Sequence, residues 1–211
     1  MSYARAERAA ITDLLDDLGP FAPTLCEGWE TADLAAHLVV RERRIDAAAG
    51  IAVKFLAPYT QNVQAQVRAR PYAELVNEVR QGPPRWTPYG LIPGLDSAVN
   101  TIEFFIHHED VRRAQAGWEP RELPADLDDL LWKRVAAGGR VFFRKSPVGV
   151  VLRRAGTGQK SGAKMSEPAV VVTGPSQELL LFAFGRQDHA RVSLDGDAAA
   201  VEKLMGARLG M

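Results

Sequence analysis

The sequence predicts a mainly α-helical protein: a four-helix-type bundle over residues 1–145, followed by a small C-terminal α/β domain over residues 146–211. Three observations carry this. Apolar residues recur at helical spacing through the N-terminal part, Gly and Pro punctuate them at intervals suited to bundle helices, and after Pro147 the pattern changes to short β-branched runs. A chain of 211 residues can bury a sizeable core, enough for a bundle and a smaller companion.

Residues 3–18 place Ala6, Ala9, Ala10, Leu14 and Leu15 on one helical face, and Gly19-Pro20 stops that helix. FAPTLCEGWE has no period. Thr31 then stands where an N-cap belongs, ahead of TADLAAHLVVRERRIDAAAG, a second helix expected to close at Gly50. A third helix follows Pro71, with Tyr72, Leu75, Val76 and Val79 on one face, and ends at Gly82-Pro83-Pro84. KFLAPYTQNVQ and WTPYGLIPG read as loops that wall a pocket. From Leu95 to Ala116 the chain has no Gly or Pro and stops at Gly117, as a long helix should. A fifth helix, 125–143, follows Pro124 and carries Leu127, Leu130, Leu131 and Val135. VGVVLRR, PAVVVTG and VSLDG then read as strands, and SQELLLFAFGR and DAAAVEKLMGARL as helices.

Charge excludes several functions. The 26 basic and 26 acidic residues cancel, so nothing overall favours nucleic acid or an anionic membrane as partner. The apolar runs are too short to span a bilayer, and MSYARAERAAITDLL carries charges where a signal peptide is apolar, so a cytoplasmic protein acting on small molecules, as a monomer or homodimer, is expected. The single cysteine, Cys26, rules out an intramolecular disulfide and a Cys-rich zinc site, leaving His, Asp and Glu as metal ligands.

Glu103 and His107 are four apart, so on a helix they share a face and can reach one ion. His37 lies between Leu34 and Leu38 on the stripe that should face the bundle interior, where an unpaired polar group is costly. Together they offer two imidazoles and a carboxylate, with coordination positions left open as in catalytic sites. The plainer alternatives are a solvated i,i+4 pair and a core histidine bonded to a carbonyl.

TLCEGWETADLAAHLVVRERR resembles the T-x-C-x-G-W…D-L-x-x-H-L opening of the DinB-like maleylpyruvate isomerase superfamily, and IEFFIHHEDVRRA resembles its later E-x-x-x-H-x-x-D segment. SQELLLFAFGR with RVSLDGD is similar to the small C-terminal domain of these proteins. The resemblance implies a DinB-like four-helix bundle whose divalent metal is held by His37, Glu103 and His107, with mycothiol as thiol cosubstrate. Zinc and nickel lead the metals such a donor set suits, ahead of iron and manganese. The family commonly has no second histidine after the ligand; His108 here points about 100° away from His107 and reads as structural or as a support behind the ligands. Asp110 either orients the His107 ring or pairs with Arg112 or Arg113. The resemblance also makes Arg186 a candidate for binding a substrate carboxylate, with Arg153, Arg154 and Arg191 as competitors.

Other residues read as structural. Cys26 is expected to be a packed thiol, Trp29 a core anchor and His189 an exposed turn residue; RRAGTGQKSGAK lacks the glycines of a phosphate loop and reads as a mobile basic loop. The expected function is a metal-dependent, mycothiol-using transferase or isomerase acting on a small electrophile. The alternatives are a binding protein without turnover and a metal-dependent hydrolase whose general base would be Asp110 or Glu109.

Overall fold

The computed structural model describes residues 2–92 and 94–210. They form two compact units divided between Glu119 and Pro120. The architecture is mainly helical with a small four-stranded sheet near the C-terminus, as expected. Among the described residues no helix is long and apolar enough to cross a membrane.

The first unit opens with α1 (Tyr3–Leu18), which begins where the Ser2 hydroxyl accepts the Arg5 N–H and ends at Gly19, φ 75°. A left-handed residue there suits glycine, which has no Cβ to clash. Helix α2 (Thr31–Arg43) starts one residue earlier than expected, with Glu30 as N-cap and its N–H bonded to the Asp33 carboxylate at 3.0 Å. Thr31 is therefore the first helical residue, and its hydroxyl donates to the Gly19 carbonyl at 2.5 Å, tying α2 to the end of α1.

The second expected helix is broken. α2 stops at Arg44, whose carbonyl accepts the N–H groups of Ala47 and Ala48 and so starts α3 (Ile45–Ala52). No Gly or Pro marks this break in the sequence. KFLAPYTQNVQ is not a loop: KFL makes a 3-10 turn, Lys54–Leu56, and APYTQNVQ forms most of α4 (Ala57–Arg68), since Pro58 fits a first helical turn and Val63 and Val67, four apart, are buried. Then follow α5 (Tyr72–Gln81), the single turn α6 (Pro88–Leu91) and α7 (Leu95–Arg112), which ends four residues before Ala116.

α1 packs on α5 and α7, and α2 on α4 and α5. Ile11, Leu15, Leu34, Leu38, Leu75, Val76, Val79, Phe104 and Val111 fill the space between them. Each such fully buried aliphatic or aromatic side chain stabilises by about 1.5–3 kcal/mol relative to exposure. Both α2 and α7 contribute to this core, which fixes the faces they turn inward.

The second unit begins with α8 (Ala125–Phe142), which packs on β2 (Lys160–Lys164) and α9 (Ser176–Ala183). The expected boundary at 145/146 thus lies at the end of α8, whereas the contacts join that helix to the sheet. Gly139 shows why: a Cβ there would lie 2.9 Å from the Ala163 Cβ, so helix and strand meet almost backbone to backbone. With β1 (Gly149–Arg154), β3 (Ala169–Gly174) and β4 (Ser193–Asp195) the sheet order is β2-β1-β3-β4. β1 and β3 are parallel, in the register Val150↔Val170 and Leu152↔Val172, and all four side chains are buried on one face. The segment expected as a mobile basic loop is instead the β1–β2 hairpin, antiparallel, with Arg154 paired to Asp128 and Asp129. α10 (Ala198–Met205), capped by Asp197, closes the unit.

Candidate metal centre

Three side chains expected from the sequence meet in the first unit. His37 of α2 and His107 of α7 both turn Nε2 towards Glu103 of α7, at 3.5 and 3.3 Å from the same Oε1, and the candidate ligand atoms all lie within 4.8 Å of one another. The two imidazoles are 5.3 Å apart, edge to face. The i,i+4 spacing stacks Glu103 and His107 on one face of α7, and the Leu34/Leu38 packing of α2 turns His37 inward, only 7 % exposed.

The far side of His107 is held as well. Its Nδ1 lies 3.0 Å from Oδ2 of Asp110, a carboxylate wholly buried one turn further along α7. A carboxylate there can accept a proton-bearing Nδ1, so that in its neutral form the ring would leave Nε2, on the Glu103 side, as the nitrogen able to bind a cation. Arg112 and Arg113 bond to Glu109, at 2.9 and 2.6 Å. His108, one position on, points away and pairs with Glu7 at 2.8 Å.

Cys26, expected to be a packed thiol, lies beside His107 and Asp110. Its thiol donates to Asp110 at 3.3 Å, and Sγ lies 3.9 Å from His107 Nδ1. The loop that delivers it is pinned to α7 by the Leu25 N–H on the Asp110 carbonyl and the Gln115 amide on the Pro23 carbonyl. Gly28, φ 75°, makes the turn that brings Trp29 back over His37, ring centroids 5.1 Å apart. Trp29 is thus both a partner of the core and a wall of the site.

Arg41, one turn after His37 on α2, was missed in the sequence. Its Nε is 3.2 Å from Glu103 Oε1. The i,i+4 step from His37 was the available signal, hidden within the basic run RERR.

Electrostatics follow from this crowding. Burial pushes His37 below the ordinary imidazole range, against the opposing pull of Glu103, so its ring is neutral. Burial would raise the Glu103 carboxyl, but the hydrogen bonds to His107 and His37, with Arg41, hold it well below the usual carboxylate range. For His107, burial is outweighed by Asp110, Cys26 and Glu103, which favour the charged ring and raise its pKa well above the ordinary value.

The donor set fits a cation. Two ring nitrogens converge on one carboxylate oxygen, an arrangement that ring N–H groups can hold or that a metal ion can hold in place of those protons. The neutral His37 ring and the ionised Glu103 are in the states that bind metals, and a cation would displace the Nε2 proton of a charged His107.

The other candidate residues belong to the second unit. Arg186 donates to the Phe184 carbonyl at 2.6 Å, Arg153 to the Thr173 hydroxyl at 2.9 Å, and the Arg191 N–H to Glu178 at 2.7 Å. His189 ends a 3-10 turn, Gln187–His189.

The fold and the site define a helical bundle that presents a histidine–glutamate–histidine cluster from two adjacent helices. Residues 4–135 match the family model of the mycothiol maleylpyruvate isomerase N-terminal domain, and the chain belongs to that family. Among solved structures it is similar to the mycothiol-dependent maleylpyruvate isomerase, with a TM-score of 0.60, and to a histidine-to-alanine mutant of that isomerase, with a TM-score of 0.62. In both cases 17% of residues are identical, and the match covers 92% of this chain and 90% of the other. That likeness is one of fold. No curated protein matches the chain.

Proposed function

We propose that His37, Glu103 and His107 hold a divalent cation, and that the protein is a mycothiol-dependent transferase or isomerase acting on a small electrophile. The observation that carries this is the single Glu103 oxygen facing two imidazole nitrogens while Asp110 occupies the other nitrogen of His107. Family membership and the mycothiol dependence of the similar isomerase support the choice of thiol.

A divalent cation in such a site supplies Lewis-acid charge that brings the pKa of a thiol towards neutrality. The protein's own residues do the rest. Asp110 keeps the proton on His107 Nδ1 and so fixes the tautomer and orientation of that ring. Trp29 covers His37 and limits water at its face. Zinc and nickel are the leading candidates for this donor set. The thiol loses its proton and its sulfur adds to an electrophilic carbon of a double bond, whose π electrons move to the neighbouring atom and take up a proton. In a transfer this adduct is the product, and in an isomerisation the C–S bond breaks again, the double bond re-forms and the thiol is returned.

The hydrolase alternative loses one of its two bases, because Glu109 is fully buried and bound by Arg112 and Arg113. Asp110 is occupied by His107 and Cys26.

Elemental analysis of the purified protein should find one divalent metal per chain. His37→Ala, Glu103→Ala and His107→Ala should each remove most of it, together with mycothiol-dependent turnover of small electrophiles. Undiminished metal in all three variants, folded as judged by circular dichroism, would overturn the metal site. Full metal with no thiol-dependent turnover would favour a binding protein instead.

A further inference from the structure

We propose that Arg41 is a positioning residue for Glu103, fixed by a buried hydrogen-bonded chain that runs from α1 through α2 to α7. The inference rests on the reading of Glu103 as a metal ligand and adds what holds that ligand in place. Arg41 is buried, and its guanidinium makes two contacts at once: Nε faces Glu103 Oε1 at 3.2 Å, and Nη1 donates to the Asn100 side-chain carbonyl. The Tyr89 ring packs over its other side, 5.5 Å from centroid to guanidinium carbon.

The orientation of Asn100 is itself determined. Its amide nitrogen donates to Glu42 Oε1 at 2.9 Å and to Asp96 Oδ1 at 2.7 Å, so only its oxygen can face Arg41. Glu42 is in turn gripped by both terminal nitrogens of Arg8 at 2.6 Å, and Arg8 is anchored on the Val79 carbonyl at 3.0 Å. Asn100, Glu42 and Arg8 are at most 5 % exposed, which makes an unsatisfied member expensive and the arrangement all but unique.

The consequence lies in the freedom of Glu103. A glutamate side chain has three rotatable bonds, and ordering it costs up to about 1.5–2 kcal/mol of conformational entropy. A planar fork fixed between Asn100 and Glu103 restrains the carboxylate before a cation arrives. A lysine at position 41 keeps the charge but has no second arm to span both partners. Positioning and simple charge therefore predict opposite results. As a bare positive charge beside a dication, Arg41 would weaken binding, and its removal would tighten it.

The test is a titration of metal-stripped protein with Co2+, read both as affinity and as the visible absorption of the bound ion. Arg41→Met should weaken affinity roughly 10–100-fold at unchanged stoichiometry, and Arg41→Lys, the milder change, should lose about as much. Both should alter the Co2+ absorption band, which a general loss of stability would not do. Affinity and band unchanged in folded Arg41→Lys, or tighter binding in either variant, would overturn the proposal. Glu103→Gln and His37→Ala serve as the reference for the underlying site: wild-type Co2+ binding in both would mean that the metal site itself is wrong. Loss of binding in those two with an unchanged Arg41→Lys would refute the positioning role alone.

Discussion

At the scale of single residues, His107 makes different use of its two nitrogens. Nδ1 is hydrogen-bonded to Asp110, and Nε2 faces the shared site, so a neighbour three positions away orients the ring. Cys26 belongs to the same arrangement through Asp110. Tyr72 offers a residue-scale test elsewhere. Its hydroxyl donates to the Leu15 carbonyl at 2.8 Å, and burial, reinforced by Asp16, pushes its pKa up from an ordinary value near 10 to about 12. The folded state thus favours the protonated phenol. The unfolded chain ionises first, so this contribution is complete below pH 10 and is lost as pH rises from about 10 to about 12. Tyr72→Phe should cost about 1 kcal/mol at neutral pH and remove that part of the alkaline loss. Urea unfolding across this range checks it, and an identical alkaline slope in the variant would contradict the assignment.

At the scale of elements, the close approaches matter most. α8 reaches β2 only because Gly139 has no side chain against Ala163. Gly139→Leu should destabilise the protein by about 1–3 kcal/mol through overpacking, despite leucine's better helix propensity. Thermal melting would show it, and a variant as stable as the parent would mean that this helix and strand can separate without cost. In the first unit α2 stops at Arg44, and its first turn is joined to α4 by Arg68, which bonds to Asp33 at 2.6 Å and to Glu30 at 3.0 Å. This end of α2 is therefore fixed a little over one turn before His37.

At the scale of the whole molecule, the proposed site bridges two helices far apart in the chain, so a cation there binds the native state and not the unfolded one. Such a ligand at 100 times its Kd stabilises by about 2.7 kcal/mol. Adding Zn2+ to chelator-stripped protein should raise the melting temperature in scanning calorimetry, and the same addition to His37→Ala should not. Equal rises in both would point to adventitious surface binding.

Much of this was legible in the chain itself. The helical spacing of α1, α5 and α7, the change to β-branched runs after Pro147, and the E-x3-H pair on one helical face all follow from local periodicity, which depends only on residues a turn or two apart. The His37–Glu103–His107 set was legible because its members lie within recognisable motifs. What tertiary structure alone decided was of another kind. The break at Arg44 and the helix α4 have weak local signals and exist because packing rewards them; α8 joins the sheet through a contact between positions 139 and 163; and Cys26 and Arg41 meet the site across gaps of 81 and 62 residues. Those separations are the physical reason. A periodic pattern fixes which face of a helix is apolar, but the partner that face meets, and the polar groups trapped with it, are selected only when the distant elements close on one another.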